Sequence, residues 1–183
     1  MKVSEFSERV AHYCDELQIE EENYFYTAIN GVILEISERF PIVASVRYTQ
    51  ERTNSRTAVN MNALVADFAS FSTPAFTADG VSPYGCPITD ARTGQIIFPA
   101  YTEGEYTIYY NQKIPTVTRD TADVPFEGER LELLILGVAY RLLTIDADYN
   151  AAATVKRLYD EYAARLDERR SGAMMRVQNV TGW

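Results

Sequence analysis

The hydrophobic period of this chain changes twice, and that constrains the fold more than any other feature. Up to Phe40 the apolar residues recur at steps of three and four. Phe6, Val10, Tyr13/Cys14 and Leu17 form one stripe; Phe25, Ile29, Val32/Ile33, Ile36 and Phe40 form a second. Both have the helical period. Ser4 stands where an N-cap would, and Pro41 stops the second helix at about Phe40. From Ile42 to Thr49 the period falls to two and the residues are rich in β-formers.

Residues 58–124 hold five of the seven prolines and many Thr, Tyr and Phe, the composition of short strands and turns. Within them, Asp90-Ala91-Arg92-Thr93-Gly94 separates Pro87–Thr89 from Gln95–Phe98 and predicts a hairpin. Glu105–Tyr110 alternates most cleanly, and Thr116-Val117-Thr118 is a further extended run. Helical period then returns through Leu131, Leu134/Ile135, Val138, Leu142 and Ile145, with Leu133 and Leu136 widening the stripe. A helix apolar around most of its girth belongs at the centre of a body. A last helix is expected from about Ala147 to Arg169, with Tyr149, Ala152, Val155, Leu158/Tyr159, Tyr162 and Leu166 inward. Past Ser171-Gly172 the period is lost.

Neither terminal helix pair can bury its stripes alone, so the two pairs must meet. The expected fold is α+β. A four-helix body is formed by the N- and C-terminal helix pairs, 1–41 plus 125–170. An antiparallel β-rich domain, 42–124, is inserted between them, and 171–183 is an extended C-terminal arm. Gly31 sits inside the second helix at a cost of about 1 kcal/mol relative to Ala, which predicts close approach of a neighbouring helix there.

Forty-six per cent hydrophobic and 23% charged residues in a chain of 183 describe one folded domain with a modest insertion. Seventeen basic against 26 acidic residues, a net charge of −9, argue against a general nucleic-acid binder. No apolar run approaches the roughly 20 residues of a membrane span, and the start of the sequence carries no signal-peptide pattern. Two cysteines, Cys14 and Cys86, give no disulfide scaffold and fit a reducing compartment. The single histidine, His12, lies two residues from Cys14, so on a helix the two face different ways. A buried Cys and a surface His are expected, not a thiolate–imidazole pair. With no second His, no zinc spacing, no phosphate loop and no nucleophile elbow, no catalytic residue, metal site or cofactor is assigned. Glu20-Glu21-Glu22 and Asp146-Ala147-Asp148 read as solvated helix ends.

Two features call for a partner. Residues 1–40 carry nine acidic against three basic residues, whereas everything after Glu168 is acid-free and carries Arg169, Arg170 and Arg176. An acidic end and a basic end suit head-to-tail self-association or docking on a charged partner. The same C-terminal segment holds Met174, Met175, Val177, Val180 and the only tryptophan, Trp183. Trp, Met and Arg are enriched at interface cores.

Several segments, in order, resemble the head–tail connector (adaptor) proteins of tailed bacteriophages. They are Glu22-Asn23-Tyr24-Phe25-Tyr26-Thr27-Ala28-Ile29-Asn30-Gly31, Asn62–Phe68, the strand Gly104–Tyr110 leading into Ile114–Thr121, and the helices with Tyr140-Arg141-Leu142-Leu143 and Tyr159-Asp160-Glu161-Tyr162. The resemblance implies a structural virion protein and not an enzyme. Copies would form a cyclic ring under the portal, made in the host cytoplasm and resident in the virion neck. Its partners would be itself, the portal, the next neck or tail protein, and passing double-stranded DNA without specific binding; no cofactor and no membrane are implied. Arg169, Arg170, Met174, Met175, Arg176, Val177, Val180 and Trp183 would form the portal- and neighbour-docking arm. Glu16, Glu20, Glu21 and Glu22 would line a channel whose acidity repels phosphates and lets DNA slide. Simpler adaptors are wholly helical, so the β insertion is a departure. The alternatives are a tail-completion, stopper or tail-tube protein, and, from another class, a cytoplasmic binding module.

Overall fold

The computed structural model describes residues 1–14, 22–78, 85–118 and 122–178, with the side chains of 22, 23 and 170–178 outside the description. In chain order the elements are α1 (Val3–Ala11), α2 (Glu22–Arg39), β1 (Val43–Gln50), β2 (Thr57–Asn60), α3 (Met61–Leu64) and β3 (Phe68–Ala78). They continue with β4 (Ile88–Asp90), β5 (Gln95–Phe98), β6 (Gly104–Gln112), α4 (Gly128–Ile145) and α5 (Tyr149–Gln178). The chain divides into a helical unit, Met1–Phe40 with Pro115–Trp183, and a β unit, Pro41–Ile114.

This is α+β, but the expected four-helix body with an extended arm is corrected. Among the described residues there are five helices and two three-stranded antiparallel sheets. The fifth helix, α3, is one turn inside the β unit. It is too short to show a period, and it is capped by Asn60, whose Oδ1 accepts from the Asn62 N–H at 2.9 Å. The segment expected as an extended arm from 171 is helical to Gln178. One glycine, Gly172, costs about 1 kcal/mol in a helix, and its neighbours Arg169, Arg170, Ala173, Met174, Met175 and Arg176 are all strong helix formers. The first helix starts earlier than a Ser4 cap requires. Glu5 Oε2 accepts from the Lys2 N–H at 3.4 Å, and the Val3 N–H bonds Ala122 O at 3.2 Å.

In the helical unit α4 is central, as its girth predicts. Leu133 to Ala139, Leu142 and Leu143 are all buried, and α1, α2 and α5 pack around it. Two glycines set how closely the helices approach. A Cβ at Gly137 would lie 2.6 Å from Val32 Cγ1, so α2 crosses α4 nearly backbone to side chain at this point. At Gly31 a methyl group would overlap the Arg141 guanidinium, which lies across the glycine to reach Glu35 at 3.1 Å. The neighbour that Gly31 admits is therefore a side chain of α4. Arg141 is flexible, and the pair is more than a third exposed, which holds its worth below about 1 kcal/mol. Gly31→Ala also gains about 1 kcal/mol of helix propensity. Thermal denaturation of Gly31→Ala is therefore expected to show a stability within about 1 kcal/mol of the parent, with the Arg141–Glu35 pair lost.

The return to the helical unit comes at Pro115, ten residues before the expected boundary at 125. Non-periodic chain is tied down here by polar bonds. Asn30 Nδ2 donates to Val117 O at 2.8 Å, and the Val117 N–H donates to Asn30 Oδ1 at 2.7 Å. Further along, the Val124 N–H bonds Met1 O at 2.9 Å and Lys2 Nζ pairs with Asp123 at 2.9 Å.

The β unit consists of the sheets β1-β6-β3 and β2-β5-β4. Alternation places Tyr106, Ile108 and Tyr110 of β6 and Ile96 and Phe98 of β5 in one core with Met61. Phe98 stacks on Tyr48 and meets Tyr106 edge-on at 4.9 Å, so both sheets feed that core. The hairpin expected at 90–94 forms between β4 and β5. Asp90 Oδ1 accepts from the Arg92 and Thr93 N–H groups, and Gly94 takes the left-handed φ of 65°.

Asp67 accepts from Gln112 Nε2 at 2.6 Å and from Tyr110 Oη at 3.0 Å. These bonds, the Gln112 bond first, hold its carboxyl below the usual carboxylate range. A folded value below the unfolded one contributes stability above the unfolded pKa, and that stability is lost as pH falls through the folded value. Asp67→Asn is accordingly expected to flatten the acid limb of stability below about pH 4, read by urea unfolding across that range.

Candidate functional site

The helical unit carries an open apolar recess at one end. Tyr24, Thr27 and Ala28 on the first turns of α2 and Tyr140, Arg141, Thr144 and Ile145 on the last turns of α4 line a cavity of about 300 Å³. The spacing is helical on both walls: Tyr24, Thr27 and Ala28 step by three and four, as do Tyr140 or Arg141, Thr144 and Ile145. Ala28 is buried at its floor, while Tyr24 is 55% and Ile145 58% exposed at its rim. Tyr149, which opens α5 just beyond, is 68% exposed. Ile145 and Tyr149 were expected inward. Their stripes run one turn past the partners that would bury them among the described residues.

The polar side of the recess is internally neutralised. Arg141 Nη2 pairs with Glu35 Oε2 at 3.1 Å, and Tyr159 Oη donates to Glu35 Oε1 at 2.9 Å. Burial, and then this bond, push the Tyr159 phenol well up, so it remains protonated and donating. Lys156 lies 5.9 Å from the Tyr140 ring and 5.3 Å from the Tyr159 ring and also pairs with Asp160. The rim beyond Ile145 is acidic. Asp146 and Asp148 are exposed, and neither makes an ion pair among the described residues. The Asp148 carboxylate caps α5 by accepting from the Ala151 N–H at 3.1 Å. The recess presents an apolar floor, an aromatic rim and an acidic edge.

Of the residues expected to form a docking arm, Arg169 alone has a described side chain; its guanidinium pairs with Glu129 in the first turn of α4. Arg170, Met174, Met175, Arg176 and Val177 lie on α5, their side chains outside the description, and Val180 and Trp183 lie outside the described residues. Glu16, Glu20 and Glu21 are also outside them; Glu22 is the first residue of α2, its side chain undescribed. Cys14 is buried, with its thiol 3.8 Å from Ala139 O, and His12 is exposed against Tyr13. Among the described residues no group of three or more His, Cys, Asp or Glu is placed to hold a metal ion, and no helix is long and apolar enough to cross a membrane.

Sequence reasoning missed the recess. Tyr24 lies off the stripe of α2, and Ile145 ends the stripe of α4 immediately before two aspartates. A large apolar residue stranded at a charged helix end is the signal that marks the site. In comparisons with known proteins, no family model and no curated protein matches this chain.

Proposed function

We propose that the chain is a structural virion protein, an adaptor that docks as a ring beneath the portal of a tailed bacteriophage and surrounds the DNA exit path. The observation that carries this reading is the end of the helical unit where α5 outruns α4. Arg169 pairs with Glu129 in the first turn of α4. The nine further residues to Gln178 continue the helix by about 13 Å at 1.5 Å per residue. That segment is acid-free and carries Arg170, Arg176, Met174 and Met175, the composition of an interface arm.

Charge distribution supports a role around DNA. The helical unit holds 20 acidic against 12 basic residues, a net of −8, and the β unit 6 against 5, a net of −1. An acidic wall repels phosphates and keeps a passing duplex from sticking. The proposed partners are further copies of the chain, the portal, and the next neck or tail protein, with no cofactor and no catalytic residue.

Charge reversal tests the channel role. Virions carrying Glu20→Lys, Glu21→Lys and Glu22→Lys together are expected to release their genome more slowly, most of all at low ionic strength. Release kinetics equal to the parent at every salt concentration would contradict it.

A further inference from the structure

We propose that the recess between α2 and α4 is the seat for residues 174–183 of a second copy, so that copies join head to tail. This deepens the adaptor reading and rests on it for closure of the ring. The recess is apolar at its floor, with Tyr24 and Ile145 more than half exposed at its rim. An exposed apolar surface rimmed by polar groups is a form that docking sites take.

Reach decides which copy fills it. Ile145 lies four residues before α5 begins, whereas Met174 lies 25 residues along α5, about 37 Å away at 1.5 Å per residue. Residues 179–183, even fully extended, span only about 17 Å. Segment 174–183 therefore cannot fold back into the recess of its own chain. Within the proposal, a second copy supplies it.

Charge and side-chain type match on the two sides. The recess is rimmed by Asp146 and Asp148, neither in an ion pair among the described residues. The segment brings Arg176 and no acid. Met174, Met175 and Trp183 supply the apolar groups, and Met adapts to an irregular recess better than branched residues do. The contact is heterologous, arm to recess; repeated, such a contact gives a ring where its rotation closes and an open filament where it does not, and the adaptor reading requires the ring.

Trp183 is the only tryptophan, so it reports on its own burial. The test titrates a synthetic peptide of residues 174–183 with the full chain carrying Trp183→Ala, leaving the peptide as the sole source of tryptophan emission. A saturable blue shift is expected, weakened about tenfold or more by Ile145→Arg and also weakened by Asp146→Lys. Tyr24→Ser, at the opposite rim, is expected to act like Ile145→Arg, and both sites are exposed enough that circular dichroism should match the parent. No saturation up to about 1 mM peptide, or equal binding to the parent and Ile145→Arg, would overturn the proposal. Failure here with the protein still present in virions at portal stoichiometry removes only the recess assignment. Absence from virions removes the adaptor reading itself.

Discussion

Replacing Asn30 with alanine is expected to lower the stability of the helical unit by about 2–4 kcal/mol. Val117 is 1% exposed, and both its backbone groups are satisfied by one side chain, the Asn30 amide, at 2.8 and 2.7 Å. Deleting that amide strands a buried donor and a buried acceptor, each costing about 1–3 kcal/mol. For a chain of this size that corresponds to a fall in Tm of roughly 5–15 °C. Asn30→Asp separates the two bonds. It keeps an acceptor for the Val117 N–H and sets a carboxylate against the Val117 carbonyl, so it too is expected to destabilise. Asn30→Gln has the right groups on a stem one methylene too long. A thermal melt of Asn30→Ala within about 0.5 kcal/mol of the parent would show that the 115–118 segment is held by something other than this pair.

The second large effect is expected at Gly137. Leucine there must displace Val32, which is fully buried, and Tyr159, whose Cε2 would lie 3.2 Å from the new Cβ. Forced overpacking of a core usually costs about 1–3 kcal/mol, and the α2–α4 crossing has no flexible side-chain end to yield, so Gly137→Leu belongs at the top of that range. Gly137→Ala is milder, because about 1 kcal/mol of helix propensity offsets the clash. The decisive comparison is a double-mutant cycle. Val32→Ala alone leaves a cavity, while Val32→Ala combined with Gly137→Ala lets the new methyl occupy the vacated space. The double variant is expected to be at least about 1 kcal/mol more stable than the sum of the two losses. Strict additivity in urea unfolding would mean that the two residues do not meet.

Much of this framework is visible in the residues because it follows from periodicity. Pro41 ends α2 where the 3.6 period stops, the alternation of Glu105–Tyr110 lies within β6, and the girth of α4 puts it at the centre. What periodicity does not carry was not visible. The boundary at Pro115 depends on Asn30, an unfavourable helix residue whose value is a pair of long-range bonds, and nothing local announces them. Helix α3 is one turn long and shows only as a capping Asn60. At Gly172 the strong helix formers on both sides outweigh a single breaker, and the helix continues to Gln178.

The recess was hidden for a related reason. Ile145 and Tyr149 have the right type and spacing to be core, and only the position of α2 shows that they find no covering partner among the described residues. The expected arm rests on composition alone, since Met, Arg and Trp gathered in an acid-free stretch suit an interface whatever their conformation.

The central claim, that this chain is a neck component of a tailed phage, is tested most directly by its copy number in purified virions, measured against the portal by quantitative mass spectrometry. The account predicts a number comparable to the portal's. Absence from the particles, or a number matching a tail-tube protein, would contradict it.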